Sequence, residues 1–127
     1  MFNATDLCGV AIEKIYILRS HIKPTITHNK LVCDKIPEII TAAGKPPVTC
    51  VLSDEEYLAE LDRKLNEECA EYQADKSIEE MADVLEVLYA IAAARGHSVE
   101  ELERVRAEKA EKRGGFLGRI YLEKVVE

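Results

Sequence analysis

No two of the four cysteines (Cys8, Cys33, Cys50, Cys69) form a C-x-x-C pair, and His21, His28 and His97 show no ligand spacing to one another or to them. This argues against a zinc site or a disulfide framework, so reduced thiols in a cytoplasmic protein are expected. The apolar run from Leu7 to Leu18 is broken by Glu13 and Lys14 and is too short to span a bilayer. No signal-peptide cleavage pattern follows it. Basic residues are not in excess: the net charge is −7, which disfavours nucleic acid as a partner. There is no Gly-rich phosphate loop of the Walker type, which excludes a P-loop mechanism. The chain holds neither low-complexity segments nor an internal repeat.

What is present is an ordinary globular balance, 47% apolar and 32% charged, in 127 residues. That length suits one domain burying about two-thirds of its unfolded surface. Leu7, Ala11, Ile15, Leu18 and Ile22 predict a first helix from Thr5 or Asp6 to about His21, ended by Pro24. His28 to Ile40 is expected to begin extended and turn helical, with Asp34 as N-cap, Pro37 in the first turn and Gly44 as the stop. Lys45 to Val51 reads as a loop or short edge strand.

Three capping boxes then punctuate the chain: Ser53-x-x-Glu56, Ser77-x-x-Glu80 and Ser98-x-x-Glu101. The first helix they open should bury Leu58, Leu61, Leu65, Cys69 and Tyr72. The second, Ile78 to Arg95, is apolar nearly all round through Met81, Val84, Leu85, Val87, Leu88 and Ile91, and Gly96 ends it. A helix of that kind is central in its bundle or covered by a second subunit, so a homo-oligomer, at least a dimer, is expected. The third carries Val99, Leu102, Arg106, Lys109 and Arg113 on one stripe, so its apolar face turns basic. A single cation there would merely suit a helix C-terminus, whereas three continuing a core-facing stripe suggest an anion. Gly114-Gly115 leads into a loop and a short extended tail.

Between the first two of these helices lie two acidic pairs, Glu68-x-x-Glu71 and Glu80-x-x-Asp83. Residues three apart share one helix face. In an antiparallel hairpin, facing residues have a constant position sum, and here 68 + 83 = 71 + 80 = 151. A turn centred between Asp75 and Lys76 therefore stacks four carboxylates in two facing rungs, an oxygen-rich cage suited to Mg²⁺ or Mn²⁺. The competing reading is a solvated acidic face, with Glu80 only closing its capping box. An acidic cage with a basic stripe is what phosphoanhydride cleavage needs: metal to neutralise phosphate and activate water, cations to hold the remaining phosphates.

The paired acids on adjacent helices resemble the all-α nucleoside triphosphate pyrophosphatase superfamily, most closely a small MazG-like, phosphoribosyl-ATP-pyrophosphatase-like branch. Four blocks carry the resemblance, in order: HNKLVCDKIPEII, VLSDEEYLAELDRKLNEECAEY, EEMADVLEVLYAI and EKAEKRGGFLGRIYL, covering about His28 to Leu122. It implies an all-α, MazG-like helical bundle built on the acidic hairpin, with short extended segments near the first block and in the C-terminal tail. Residues 28–127 would form that domain and residues 1–27 a helical extension. It implies Mg²⁺ at Glu68, Glu71, Glu80 and Asp83, and hydrolysis of a nucleoside triphosphate to monophosphate and pyrophosphate. Lys109 and Arg113 would contact phosphate, with Asn29 and Lys30 candidates for the same site. Cys33 stands where the branch usually has arginine. The alternatives are a phosphoribosyl-ATP substrate or a helical module that binds metal or nucleotide without turnover.

Overall fold

A computed structural model of the chain describes residues 24–127, so the predicted first helix and nearly all of the 1–27 extension lie outside the described residues. Among those described there are four helices and no strand, as an all-α fold requires. The helices are α1 (Ile36–Ala42), α2 (Asp54–Asp75), α3 (Ile78–Ala94) and α4 (Val99–Arg113). The chain divides into two compact units, Met1–Val87 and Leu88–Glu127, with the division falling inside α3.

Local chemistry sets the helix ends. Pro37 lies in the first turn of α1, where its missing N–H costs nothing. The cap is not Asp34: Asp34 and Lys35 form a turn in which the Ile36 N–H bonds the Cys33 carbonyl at 3.0 Å, and Lys35 takes the N-cap position without a side-chain bond. Gly44 follows α1 at φ 83°, a conformation that suits glycine. Segments 28–33 and 45–51 are irregular rather than stranded.

Ser53 opens α2 with a complete capping box: its hydroxyl accepts from the Glu56 N–H and the Glu56 carboxylate accepts from the Ser53 N–H. The helix stops at Lys76, whose N–H bonds the Tyr72 carbonyl at 2.7 Å and whose φ of 61° turns the chain through a left-handed residue. Ser77 follows and α3 begins at once, giving a tight helix hairpin whose two linking residues, Lys76 and Ser77, centre it one position later than the mirrored sum of 151 places it. At its far end, α3 closes with the His97 N–H on the Ala92 carbonyl and the Gly96 N–H on the Ala93 carbonyl, a left-handed glycine cap.

The core of the described residues is thin. Leu61, Val87 and Ala92 are buried, but no side chain falls below 2% exposure. Leu58, Leu65 and Tyr72 are half-buried as the α2 stripe predicts, whereas Cys69 is exposed. On α3, Met81, Leu85 and Leu88 remain 38–46% exposed. Cys33 and Cys69 are free thiols, but Cys50 is disulfide-bonded, which corrects the expectation of reduced cysteines at that position.

Candidate metal centre

The α2–α3 hairpin brings Glu68, Glu80 and Asp83 together: one carboxylate oxygen from each lies within 4.8 Å of the others. Glu68 is buried, Glu80 half-buried and Asp83 exposed, so the group sits at the rim of the hairpin. Glu71 lies outside this set, yet its charge acts on Glu80. A constant position sum fixes the level of facing residues along two helices but not the direction in which each side chain points. That is why three of the four predicted acids converge in one group, while Glu71 acts on Glu80 through its charge, more strongly than Asp83 or Glu68, without joining it.

Glu80 separates the two readings of its motif. The Ser77 hydroxyl does accept from the Glu80 N–H at 3.3 Å, so half of the capping box forms. The Glu80 carboxylate does not complete it: Oε2 is buried without a hydrogen-bond partner. A buried, unpaired carboxylate oxygen is costly, and native proteins rarely keep one without a reason. Desolvation, then the charges of Glu71, Asp83, Asp75 and Glu68, holds the Glu80 carboxyl above its ordinary range. A divalent cation would relieve both penalties. Oxygens about 2.1 Å from Mg²⁺ would lie about 3.0 Å apart when adjacent and about 4.2 Å when opposed, so these carboxylates, within 4.8 Å of one another, would draw inward to bind it.

The cations nearest these acids include one that the motif reading missed. Lys64 donates to Glu68 Oε1 at 3.2 Å and to Glu67 Oε1 at 3.3 Å, with its side chain only 14% exposed. Burial pulls the Lys64 ammonium down, but its hydrogen bonds and charge contacts with Glu68 and Glu67 outweigh that and hold it raised. Lys30, one of the expected substrate contacts, donates to Glu67 Oε1 at 3.2 Å and so ties the first block to α2. Burial pushes the Glu67 carboxyl up, while Lys30 and Lys64 bring it below its ordinary range. The signal for Lys64 was in the sequence: a lysine three and four residues before paired glutamates faces them on a helix. Glu60, the other buried acid of α2, has Arg63 at 3.6 Å.

Of the other expected residues, Asn29 is exposed in a left-handed conformation at φ 47°. Lys109 and Arg113 are exposed on α4, in the second unit. Arg106, on the same stripe, is held by a two-pronged bond to Glu103 at 2.6 and 2.9 Å. Beside the acids, an open cleft of about 250 Å³ is lined by Cys69, Tyr72, Gln73, Met81 and Val84. Four of these residues directly follow Glu68, Glu71, Glu80 and Asp83, one step of about 100° round each helix. The cleft is smaller than the roughly 300–1,000 Å³ of ordinary ligand pockets, so on its own it does not enclose a nucleotide.

No helix among the described residues is long and apolar enough to cross a membrane. No family model matches the chain, and no solved structure matches it. Among curated proteins, it is similar to an uncharacterized protein of Mycolicibacterium smegmatis, 58% identical over 45 residues. That stretch is 35% of this chain and 46% of the relative, so the match spans about half of the relative's length.

Proposed function

We propose that this chain is a Mg²⁺- or Mn²⁺-dependent nucleotide pyrophosphohydrolase that cleaves a nucleoside triphosphate, ribo or deoxy, to the monophosphate and pyrophosphate. The observation that supports this most is the buried, partnerless Oε2 of Glu80 within a group of three converging carboxylates. Glu68, Glu80 and Asp83 hold the metal, with Glu71 as the fourth acid of the pairs. When bound, the metal neutralises phosphate charge and lowers the pKa of the attacking water. One acid of the set accepts that water's proton as oxygen attacks the α-phosphorus and the α–β bridge leaves with pyrophosphate. Lys109 and Arg113 hold phosphate oxygens, and Asn29 lies in the block assigned to the substrate. Nucleotide-pool house-cleaning in the cytoplasm is the setting this chemistry fits. A homo-oligomer, a dimer at least, would cover the face of α3 on which Met81, Leu85 and Leu88 are more than a third exposed.

Two observations favour a second reading, a helical module that binds metal or nucleotide without turnover. Cys33 replaces an arginine of the first block, and Lys30 is engaged by Glu67. Product analysis separates the two. Canonical, deoxy and damaged triphosphates and phosphoribosyl-ATP are incubated with Mg²⁺ or Mn²⁺, and products are resolved by phosphorus NMR. Monophosphate with pyrophosphate, abolished by EDTA, is expected. Release of single γ-phosphates, or turnover that survives EDTA, would overturn the proposal; metal binding without turnover would select the module.

A further inference from the structure

Lys64 stands between two acceptors of different kinds. Its ammonium lies 3.2 Å from Glu68 Oε1 and 3.3 Å from Glu67 Oε1. Glu68 belongs to the converging group with Glu80 and Asp83, whereas Glu67 does not. Glu67 is also bound by Lys30, at 3.2 Å on the same oxygen. The Lys64 and Glu68 side chains are only 14 and 11% exposed, so little water is at hand to replace either partner. Positions 64, 67 and 68 share one face of α2, a single turn apart. All of these residues belong to the Met1–Val87 unit.

One carboxylate, Glu68, is therefore claimed twice. In the cation-free protein the lysine neutralises it and offsets part of the repulsion within the acidic group. A divalent ion held by Glu68, Glu80 and Asp83 brings a double positive charge to the carboxylate that Lys64 now touches. At such range, repulsion between ion and ammonium outweighs one bond between Lys64 and Glu68. The ammonium has a second acceptor already within reach, since it donates to Glu67 as well. We propose that Lys64 is a resident counter-ion of the metal site: it holds Glu68 while no ion is bound, and passes wholly to Glu67 when one binds. This rests on the metal reading above and adds the step by which the protein yields the site to its ion. Lys64 holds down the affinity for free cation, and Glu67 limits that effect by receiving the lysine. Without that receiver, a poorly hydrated ammonium would be left unpaired, which is costly.

The two residues should therefore act on metal affinity with opposite signs, measured by calorimetry with Mn²⁺ on the full chain. Lys64→Met should tighten binding. Glu67→Gln should weaken it about tenfold, and in the Lys64→Met background that loss should shrink to about twofold, a coupling expected of residues in contact. The remaining loss reflects one negative charge removed from the neighbourhood of the ion. Lys30→Met breaks the same tie to the first block but leaves the acceptor in place, so it should not weaken binding. An equal loss from Glu67→Gln in both backgrounds would overturn the handover, as would a Lys30→Met loss as large as that of Glu67→Gln. Lys64→Met binding no tighter than wild type would overturn it even if Glu67→Gln failed to fold by circular dichroism. A wild type that binds no Mn²⁺ would overturn the metal reading and this inference together.

Discussion

Glu80 and Lys64 carry opposite parts of one electrostatic problem. Glu80 is desolvated and surrounded by like charge, so its folded-state pKa lies above the unfolded value. In cation-free protein, folding then takes up a proton, and the stabilisation from Glu80 is fully present below pH 4.5, its ordinary value. It is lost as the pH rises through the raised folded value. Glu80→Gln should therefore flatten the decline in melting temperature above pH 4.5 in the presence of EDTA, compared with wild type. An identical pH profile for the two proteins would show that the carboxyl is not crowded. Lys64 offsets the same repulsion from the other side of Glu68. Lys64→Met should lower the stability of the cation-free protein by about 1–2 kcal/mol, as expected for partly exposed charge-assisted bonds. It should also tighten Mn²⁺ binding in calorimetry, because a neighbouring positive charge opposes an incoming cation. Weaker Mn²⁺ binding in the variant would mean that Lys64 chiefly orients Glu68.

At the level of helices, sequence punctuation was informative about where elements begin and less so about where side chains turn. All three Ser-x-x-Glu motifs start a helix at the expected place. The return bond, in which the serine N–H donates to the glutamate carboxylate, forms in the Ser53 box, while Glu101 bonds His97 and Glu80 leaves Oε2 unpaired. A rotamer choice of this kind depends on neighbours that spacing cannot supply. Lys64 escaped notice for a related reason: periodicity identified the apolar stripe and the acids, but not which cation closes on them. The exposure of Cys69 follows from the thin core, since a stripe residue is buried only if something lies against it. Ser53→Ala breaks the complete box and should cost about 1 kcal/mol in denaturant unfolding, with the response to Mg²⁺ unchanged. A larger loss accompanied by loss of that response would mean that the start of α2 and the acidic group are coupled.

For the molecule as a whole, the proposed function depends on whether acids converging at one hairpin bind a cation or only share a solvated face. The most direct measurement is the thermal response to Mg²⁺ of wild type and Asp83→Asn, with turnover followed on the same samples. Asp83 is suited to this test because it belongs to the converging group and caps no helix. For wild type, a cation at about a hundred times its dissociation constant adds roughly 2.7 kcal/mol to folding, a rise of several degrees in a chain of this size. In EDTA the variant should melt at the wild-type temperature or above it, since one repelling charge is gone. It should lose most of the rise with Mg²⁺ and nearly all hydrolysis. An Asp83→Asn protein that keeps both the wild-type Mg²⁺ shift and wild-type turnover would contradict the assignment of the site.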